Sequence, residues 1–195
     1  MSAHAAAFRA VVNARRTARA FDGARDVPAA VLRDVLAMTQ RAPSSFNLQP
    51  WTCVIVRSPA QRELLGRAML SASNASRVLD APATAVFCAD LEPSRSIDRL
   101  RRDAERSGRD ARSVDDLALA VGYYATAGTV ASLAKAVAAK ALSPLVPAPE
   151  PTGAEAWAVK SAMLAASSYM LGATAHGLAT APMEGFVCGP RPLKW

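Results

Sequence analysis

Apolar side chains recur at helical spacing in the segment after Pro28, at Val31, Leu32, Val35, Leu36 and Met38. Residues three or four positions apart share one face of a helix, so this spacing is typical of an amphipathic helix. Proline suits the first turn of a helix, and Pro43 cannot continue one. The pattern therefore predicts a helix that begins near Pro28 and ends before Pro43.

Two short runs of β-forming residues predict strands. Residues 51–56 lie between two proline-containing turns, and their apolar character predicts a buried strand. A helix over residues 61–69 is expected to follow it, and residues 84–89 form the second run. Strands that alternate with helices favour an α+β or α/β layer arrangement.

The second half of the chain is predicted to be mainly helical. Residues 92–112 are crowded with arginines and interleaved acids, which is typical of an exposed helical or mobile excursion. A long helix is expected over 114–142, and a proline-rich turn over 144–151 separates it from a helix over 155–176 that Gly177 caps.

Composition agrees with one globular domain over residues 1–195. The chain has 195 residues, of which 51% are hydrophobic and 20% charged, enough to bury a core. Its longest weakly apolar stretches, 117–142 and 156–181, are rich in small residues and interrupted by lysines. Such stretches insert poorly into a bilayer, so no membrane partner is expected.

Charge and cysteine content narrow the classes of function. Lysine and arginine outnumber acidic residues by 23 to 16, a net charge of +7 that attracts anions such as phosphate-bearing cofactors, nucleic acid or anionic lipid. The three cysteines, Cys53, Cys88 and Cys188, are far apart, which argues against a disulfide scaffold or a zinc site. We expect a reducing, cytoplasmic location and no bound metal.

The chain lacks the usual motifs of side-chain catalysis. It contains no G-x-S-x-G, no H-E-x-x-H and no nucleotide-binding glycine-rich motif, and its two histidines, His4 and His176, stand alone. Histidine acid–base catalysis is therefore not expected. If the protein is an enzyme, an organic cofactor carries the reactive centre while the chain binds and orients it.

The first candidate site is the basic segment Arg15-Arg16-Thr17-Ala18-Arg19 near the N-terminus. Three guanidinium groups and a hydroxyl within five residues can hold a phosphate through forked hydrogen bonds. A solvated basic turn has the same composition, and the segment alone does not decide between the two interpretations.

The second candidate site is the proline-bracketed loop over residues 42–51, A-P-S-S-F-N-L-Q-P-W. Ser44, Ser45, Asn47 and Gln49 offer donors and acceptors suited to the edge of a heterocycle. A structural turn of this composition is the alternative interpretation.

Taken together, four motifs in order resemble the FMN-dependent nitroreductase family. They are R-R-T-A-R-A-F at 15–21, A-P-S-S-F-N-L-Q-P-W at 42–51, Asn74 with Arg77, and P-M-E-G-F at 182–186. The resemblance covers nearly the whole chain. It implies an α+β fold with a central, mostly antiparallel sheet flanked by helices, in a homodimer with FMN sites at the interface.

The resemblance also implies the cofactor-binding residues. One subunit would supply Arg15, Arg16, Thr17 and Arg19 to the phosphate and the flavin N1/O2 edge, together with Asn74 and Arg77. The other subunit would supply Pro43, Ser44, Ser45 and Asn47. Pro182, Met183, Glu184 and Gly185 would pass along the flavin near N5. Because glycine has no Cβ, Gly185 would permit a close approach.

The activity implied is that of an NAD(P)H oxidoreductase. NADH or NADPH would deliver hydride to flavin N5 and leave, and an electron-poor acceptor such as a nitroaromatic or quinone would then take it in a ping-pong cycle. No catalytic side chain is needed. Tyr123 and Tyr124 fall where a family helix lines the pocket, and they suit substrate stacking or the core equally.

The chain departs from the family pattern after Phe186. Family members continue into a strand that crosses to the partner subunit, whereas only nine residues with two prolines follow here. We expect weakened FMN binding, with Arg191 or Lys194 as poor substitutes for the missing basic residues. A truncated, inactive family member is one alternative, and a basic protein that binds nucleic acid or an anionic surface is another.

Overall fold

The computed structural model describes residues 2–92, 96–108, 137 and 154–186. The predicted helix over 114–142, the turn over 144–151, Tyr123, Tyr124 and the residues after Phe186 lie outside this part of the chain. The helices are α1 (Ala3–Ala14), α2 (Ala29–Thr39), a 3-10 turn (Ser45–Asn47), α3 (Pro59–Arg67), α4 (Ala72–Asp80), α5 (Ile97–Arg106) and α6 (Ala154–Ala175). The strands are β1 (Trp51–Val56) and β2 (Thr84–Ala89).

The two strands pair in one sheet. The amide of Asp90, just after β2, donates to the carbonyl of Pro50, just before β1, over 2.8 Å, so the strands run antiparallel. Both strands confirm the sequence prediction. The expected burial of β1 is wrong for most of the strand, because only Val56 is fully buried.

The chain forms two compact units, each described here by itself. The first contains residues 1–41, 53–86 and 166–195, and the second contains residues 42–52 and 87–165. The prediction of one domain over residues 1–195 stays a prediction.

A small apolar cluster organises the first unit. Val56, Leu65 and Val78 are buried together, and the side chains packed against them are Val54, Met69, Val86 and Met183. The cluster joins β1, α3 and α4, and Met183 attaches the segment over 182–186 to it. The position of a predicted site segment is therefore set by the core.

Helix ends in the first unit follow known capping rules. Gly177 has a φ of 73°, and the amide of Leu178 donates to the carbonyl of Ala173, which together close α6 as predicted. His176 Nε2 lies 2.8 Å from Asp34 Oδ2, which links the end of α6 to α2. This contact gives His176 a structural partner.

The second unit has its own cluster around α5 and the start of α6. Leu48, Leu100, Trp157 and Ala158 are buried there. Residues 97–106 are thus an amphipathic helix with Arg101, Arg102 and Arg106 exposed, which confirms the helical form of the predicted excursion over these residues. No helix among the described residues is long and apolar enough to cross a membrane.

Candidate functional site

The basic segment after α1 pairs with a distant part of the chain. Arg15 follows the last residue of α1, and its amide donates to the carbonyl of Val11 over 3.0 Å. Thr17 forms a parallel bridge with Thr180, and the amide of Ala18 donates to the Thr180 carbonyl over 2.9 Å. This pairing brings residues 15–19 beside the chain that leads into residues 182–186.

The three guanidinium groups of this segment differ in their contacts. Arg16 Nη1 donates to the backbone carbonyls of Asn13 and Arg15, which holds it against the end of α1. Arg15 is half-buried and Arg19 exposed, and neither forms an ion pair within the described part of the chain. Arg15 and Arg19 therefore keep their charge available to an anion.

Helix α4 presents two predicted site residues on one face. Asn74 and Arg77 are three positions apart, so their side chains are neighbours. Arg77 Nη1 donates to Asn74 Oδ1 over 2.8 Å, which leaves the Asn74 Nδ2 group as the outward donor. Arg77 Nε is buried and has no hydrogen-bond partner among the described residues, and Arg62 Nε and Thr180 Oγ1 are in the same state. A buried donor of this kind calls for an acceptor.

The segment over 182–186 is fixed beside α4. The Leu70 amide donates to the Gly185 carbonyl over 2.9 Å, and Phe186 forms an antiparallel bridge with Met69. Met183 is packed into the core, while Pro182 and Glu184 are exposed. Within the described residues, no partner takes the backbone N–H of Glu184 or Gly185.

Gly185 lies in close contact with Asn74. A Cβ at this position would lie 3.3 Å from Asn74 Nδ2, tighter than almost all real contacts of that kind. Asn74, Arg77 and Gly185 therefore form one cluster, called here the α4 cluster. The α4 cluster contains the side-chain amide donor of Asn74, the buried Nε donor of Arg77 and the two backbone N–H groups of residues 184 and 185. Gly185 has no side chain that could cover these groups.

The loop over residues 42–50 belongs to the second unit. The 3-10 turn places Ser44 at its start, and Pro43, Ser45 and Asn47 are exposed. Gln49 forms most of the hydrogen bonds within the loop. Its backbone N–H donates to Ser44 Oγ over 2.9 Å. Its side-chain Nε2 donates to the Ala42 carbonyl and to Asn47 Oδ1, both over 3.1 Å. These bonds show that the loop is internally ordered, which is compatible with both a recognition loop and a structural turn.

Two anchors hold the end of this loop. Arg99 Nη2, on α5, donates to the Leu48 carbonyl over 2.7 Å. Trp51 Nε1 donates to Gln49 Oε1 over 2.8 Å.

Asn47 and Gln49 adopt left-handed backbone conformations with φ of 55° and 48°. Asparagine tolerates this region better than glutamine, so the bonds to Gln49 hold its backbone against a local preference.

Sequence reasoning missed several residues that shape these sites. Thr180 and Leu70 act through their backbones, so no side-chain pattern marks them. The donor-only indole of Trp51 next to Gln49 was a usable signal, because a buried Trp N–H needs an acceptor. Among the described residues, no group of three or more His, Cys, Asp and Glu side chains is placed to hold a metal ion.

Comparison with known proteins identifies the family to which the chain belongs. The model of the Nitroreductase family matches residues 12–187. An oxygen-insensitive NAD(P)H nitroreductase from Enterobacter cloacae is 23% identical over 179 residues, which are 88% of this chain and 73% of that protein. An NADH dehydrogenase from Thermus thermophilus is 46% identical over 66 residues, 34% of this chain and 31% of that protein.

Two crystal structures show the same fold. A nitroreductase-type protein from Bacillus subtilis has a TM-score of 0.70 at 24% identity, over 94% of this chain and 78% of that chain. A nitroreductase-type protein from Exiguobacterium sibiricum in complex with FMN has a TM-score of 0.66 at 22% identity, over 92% of this chain and 75% of that chain. By sequence, the chain spans 31% of the Thermus protein and 53% of a nitroreductase-type relative from Bacillus subtilis.

Proposed function

Because this chain belongs to the nitroreductase family, we propose that it is an FMN-dependent NAD(P)H oxidoreductase. Its acceptors would be electron-poor compounds such as nitroaromatics and quinones. Bound FMN would supply the chemistry, by taking hydride from NADH or NADPH at N5 and passing it to the acceptor in a ping-pong cycle. The chain would bind the flavin, orient the substrates and exclude water.

The α4 cluster is the observation that carries this proposal. Asn74 Nδ2 and the backbone N–H groups of residues 184 and 185 have no acceptor among the described residues, and a flavin ring has carbonyl and imide acceptors along one edge. Gly185 has no side chain, and the nearby Asn74 leaves little room for one. The free backbone N–H groups of residues 184 and 185 are therefore not covered by a side chain at this position. These features fit a flat, acceptor-rich heterocycle.

Arg15 and Arg19 are proposed to bind the FMN phosphate and the N1/O2 edge, with Arg16 and Thr17 beside them. Forked guanidinium hydrogen bonds suit phosphate oxygens. A positive charge near the N1/O2 edge also stabilises the negative charge that reduction places there. This role requires arginines that are not already ion-paired, as Arg15 and Arg19 are not within the described residues.

A homodimer is part of the proposal, with Pro43, Ser44, Ser45 and Asn47 reaching the cofactor from the partner subunit. Support comes from α1, which has no buried residue and whose apolar side chains Phe8 and Val12 are 61% and 45% exposed. A second copy of the chain could cover these side chains. Further support for FMN comes from the Exiguobacterium complex, and support for a nicotinamide donor from the name of the Enterobacter relative. A cytoplasmic location also remains a proposal.

The visible spectrum of the purified protein tests the proposal. We expect visible flavin absorption bands in the protein as isolated, or a shift of the FMN bands when FMN is added to the protein. Bleaching of these bands by NADH or NADPH without oxygen, and their return with a quinone, would establish the two half-reactions. A colourless protein that takes up no added FMN would overturn the proposal.

A further inference from the structure

The Trp51 indole fixes the orientation of the Gln49 side chain. An indole N–H can only donate, so the Gln49 atom that lies 2.8 Å from Trp51 Nε1 must be the oxygen. The opposite atom, Nε2, lies 3.1 Å from the Ala42 carbonyl, which can only accept. Two independent neighbours therefore require the same amide orientation.

This orientation determines which atoms of the loop remain available. Gln49 Nε2 donates to Asn47 Oδ1, so the Asn47 oxygen is engaged and its Nδ2 group has no partner among the described residues. The Gln49 backbone amide donates to Ser44 Oγ, so the Ser44 hydroxyl proton is free to point elsewhere. Ser44 and Asn47 are left as hydrogen-bond donors.

We propose that Gln49, oriented by Trp51, is a positioning residue that makes the loop over 42–50 a donor surface. Ser44 and Asn47 then recognise acceptor oxygens of the cofactor and disfavour a ligand edge that presents donors. The identity of that ligand as FMN rests on the proposed function. The positioning network itself lies wholly within the second unit.

The network is tested first in the protein without FMN. Exchange of side-chain amide protons with water is measured by NMR for Gln49 and for Gln40, which is exposed at the end of α2. The Gln49 protons should exchange at least tenfold more slowly than those of Gln40, and Trp51→Phe should remove this protection. Equal exchange of the two residues in the wild type would overturn the inference.

The effect on the ligand is tested by FMN titration, followed by flavin fluorescence. Asn47→Asp replaces the free donor by an acceptor and should weaken FMN binding at least tenfold. Trp51→Phe keeps an aromatic ring against Phe87, whose centroid lies 6.2 Å away, and adds no charge. It should weaken binding threefold or more. Gln40→Glu adds a negative charge outside the network and should leave affinity within twofold.

A double variant separates positioning from simple loss of structure. If Trp51 acts through Gln49, the double variant Trp51→Phe/Gln49→Ala should lose less FMN-binding free energy than the sum of the losses in the two single variants. Additive losses, or variants that bind FMN as tightly as the wild type, would overturn the inference and leave the proposed function standing. A wild type that binds no FMN would overturn the proposed function itself.

Discussion

At the scale of single residues, the proposed FMN site should depend on the absence of a side chain at position 185. Asn74 cannot easily retreat from a new Cβ there, because Arg77 holds its oxygen over 2.8 Å. Gly185→Ala should therefore lower FMN affinity about tenfold, which is about 1.4 kcal/mol of binding free energy. The measurement is an FMN titration of the folded variant.

Gly66→Ala is the matched control for Gly185→Ala. Its new Cβ would lie 3.5 Å from the Leu79 side chain, an ordinary contact, and Gly66 is inside a helix. Alanine there should leave FMN affinity unchanged and stabilise the helix by up to about 1 kcal/mol. Equal losses of affinity in the two variants would contradict the special role of position 185.

The arginine assignment gives a second prediction at this scale. Arg15→Ala combined with Arg19→Ala should weaken FMN binding about a hundredfold or more, because charge-assisted bonds contribute about 1.5–3 kcal/mol each. The same changes at Arg101 and Arg102, on the solvent side of α5, should change affinity little. Similar losses in both double variants would show that net charge, rather than these two residues, holds the phosphate.

Tyr169 should make the free energy of unfolding fall at alkaline pH. Burial, with a smaller contribution from the charge of Cys53, raises the pKa of the Tyr169 phenol to about 12. The phenol has a pKa of 10.0 in its ordinary state and about 12 in the folded protein, so the folded state holds this proton more tightly than the unfolded state. The stabilisation that results is fully present below pH 10 and is lost as the pH rises toward 12. The free energy of unfolding should fall more steeply over this range in the wild type than in Tyr169→Phe. Parallel curves in urea titrations would contradict this assignment.

At the scale of elements, one arginine joins α3 to the end of α4. Arg62 Nη1 donates to the carbonyls of Leu79 and Ala81 over 2.9 and 2.6 Å, which satisfies carbonyl groups left open at the helix C-terminus. Arg62→Ala should lower the free energy of unfolding by about 1–3 kcal/mol in urea denaturation. Arg67→Ala, at an exposed position in the last turn of α3, should change it by less than about 0.5 kcal/mol.

The elements differ in how far the sequence predicted them. Both strands and the helix over 155–176 match the structure closely, because turn-forming residues bound each of these segments. The buried face of α2 was predicted less well: Met38 is 38% exposed, and the neighbouring Thr39 is buried instead. Thr39 Oγ1 donates to the Val35 carbonyl, and this satisfied hydroxyl makes burial of a polar residue possible.

For the candidate site, the sequence predicted residue types better than contacts. Motifs marked Asn74, Arg77 and Gly185, and the structure brings these three together. The pairing of Thr17 with Thr180 was not predictable, because register over so long a separation depends on the packing of the whole unit. The orientation of the Gln49 amide was deducible only once its distance to Trp51 was known.

At the scale of the whole molecule, α1 needs a surface to pack on. A helix of 12 residues is marginal in water, and this one buries no side chain in the part of the chain that the structure describes. If a second copy covers it, Phe8→Ser with Val12→Ser should raise the dimer dissociation constant at least tenfold in sedimentation experiments. Leu64→Ser, at an exposed apolar position of α3, is the control and should change it little.

The anchoring of Met183 has a consequence for any future mutational survey of this protein. Met183 packs against Val56, Leu65 and Val78, only two positions before Gly185 along the chain. If FMN binds beside Gly185 as proposed, a cavity made at one of these buried positions should let the flanking backbone shift, so that the bound flavin and its colour are lost well before the protein unfolds. Pigmentation in a colony or lysate screen would therefore report on the quality of the interior as sensitively as on direct contacts with the flavin.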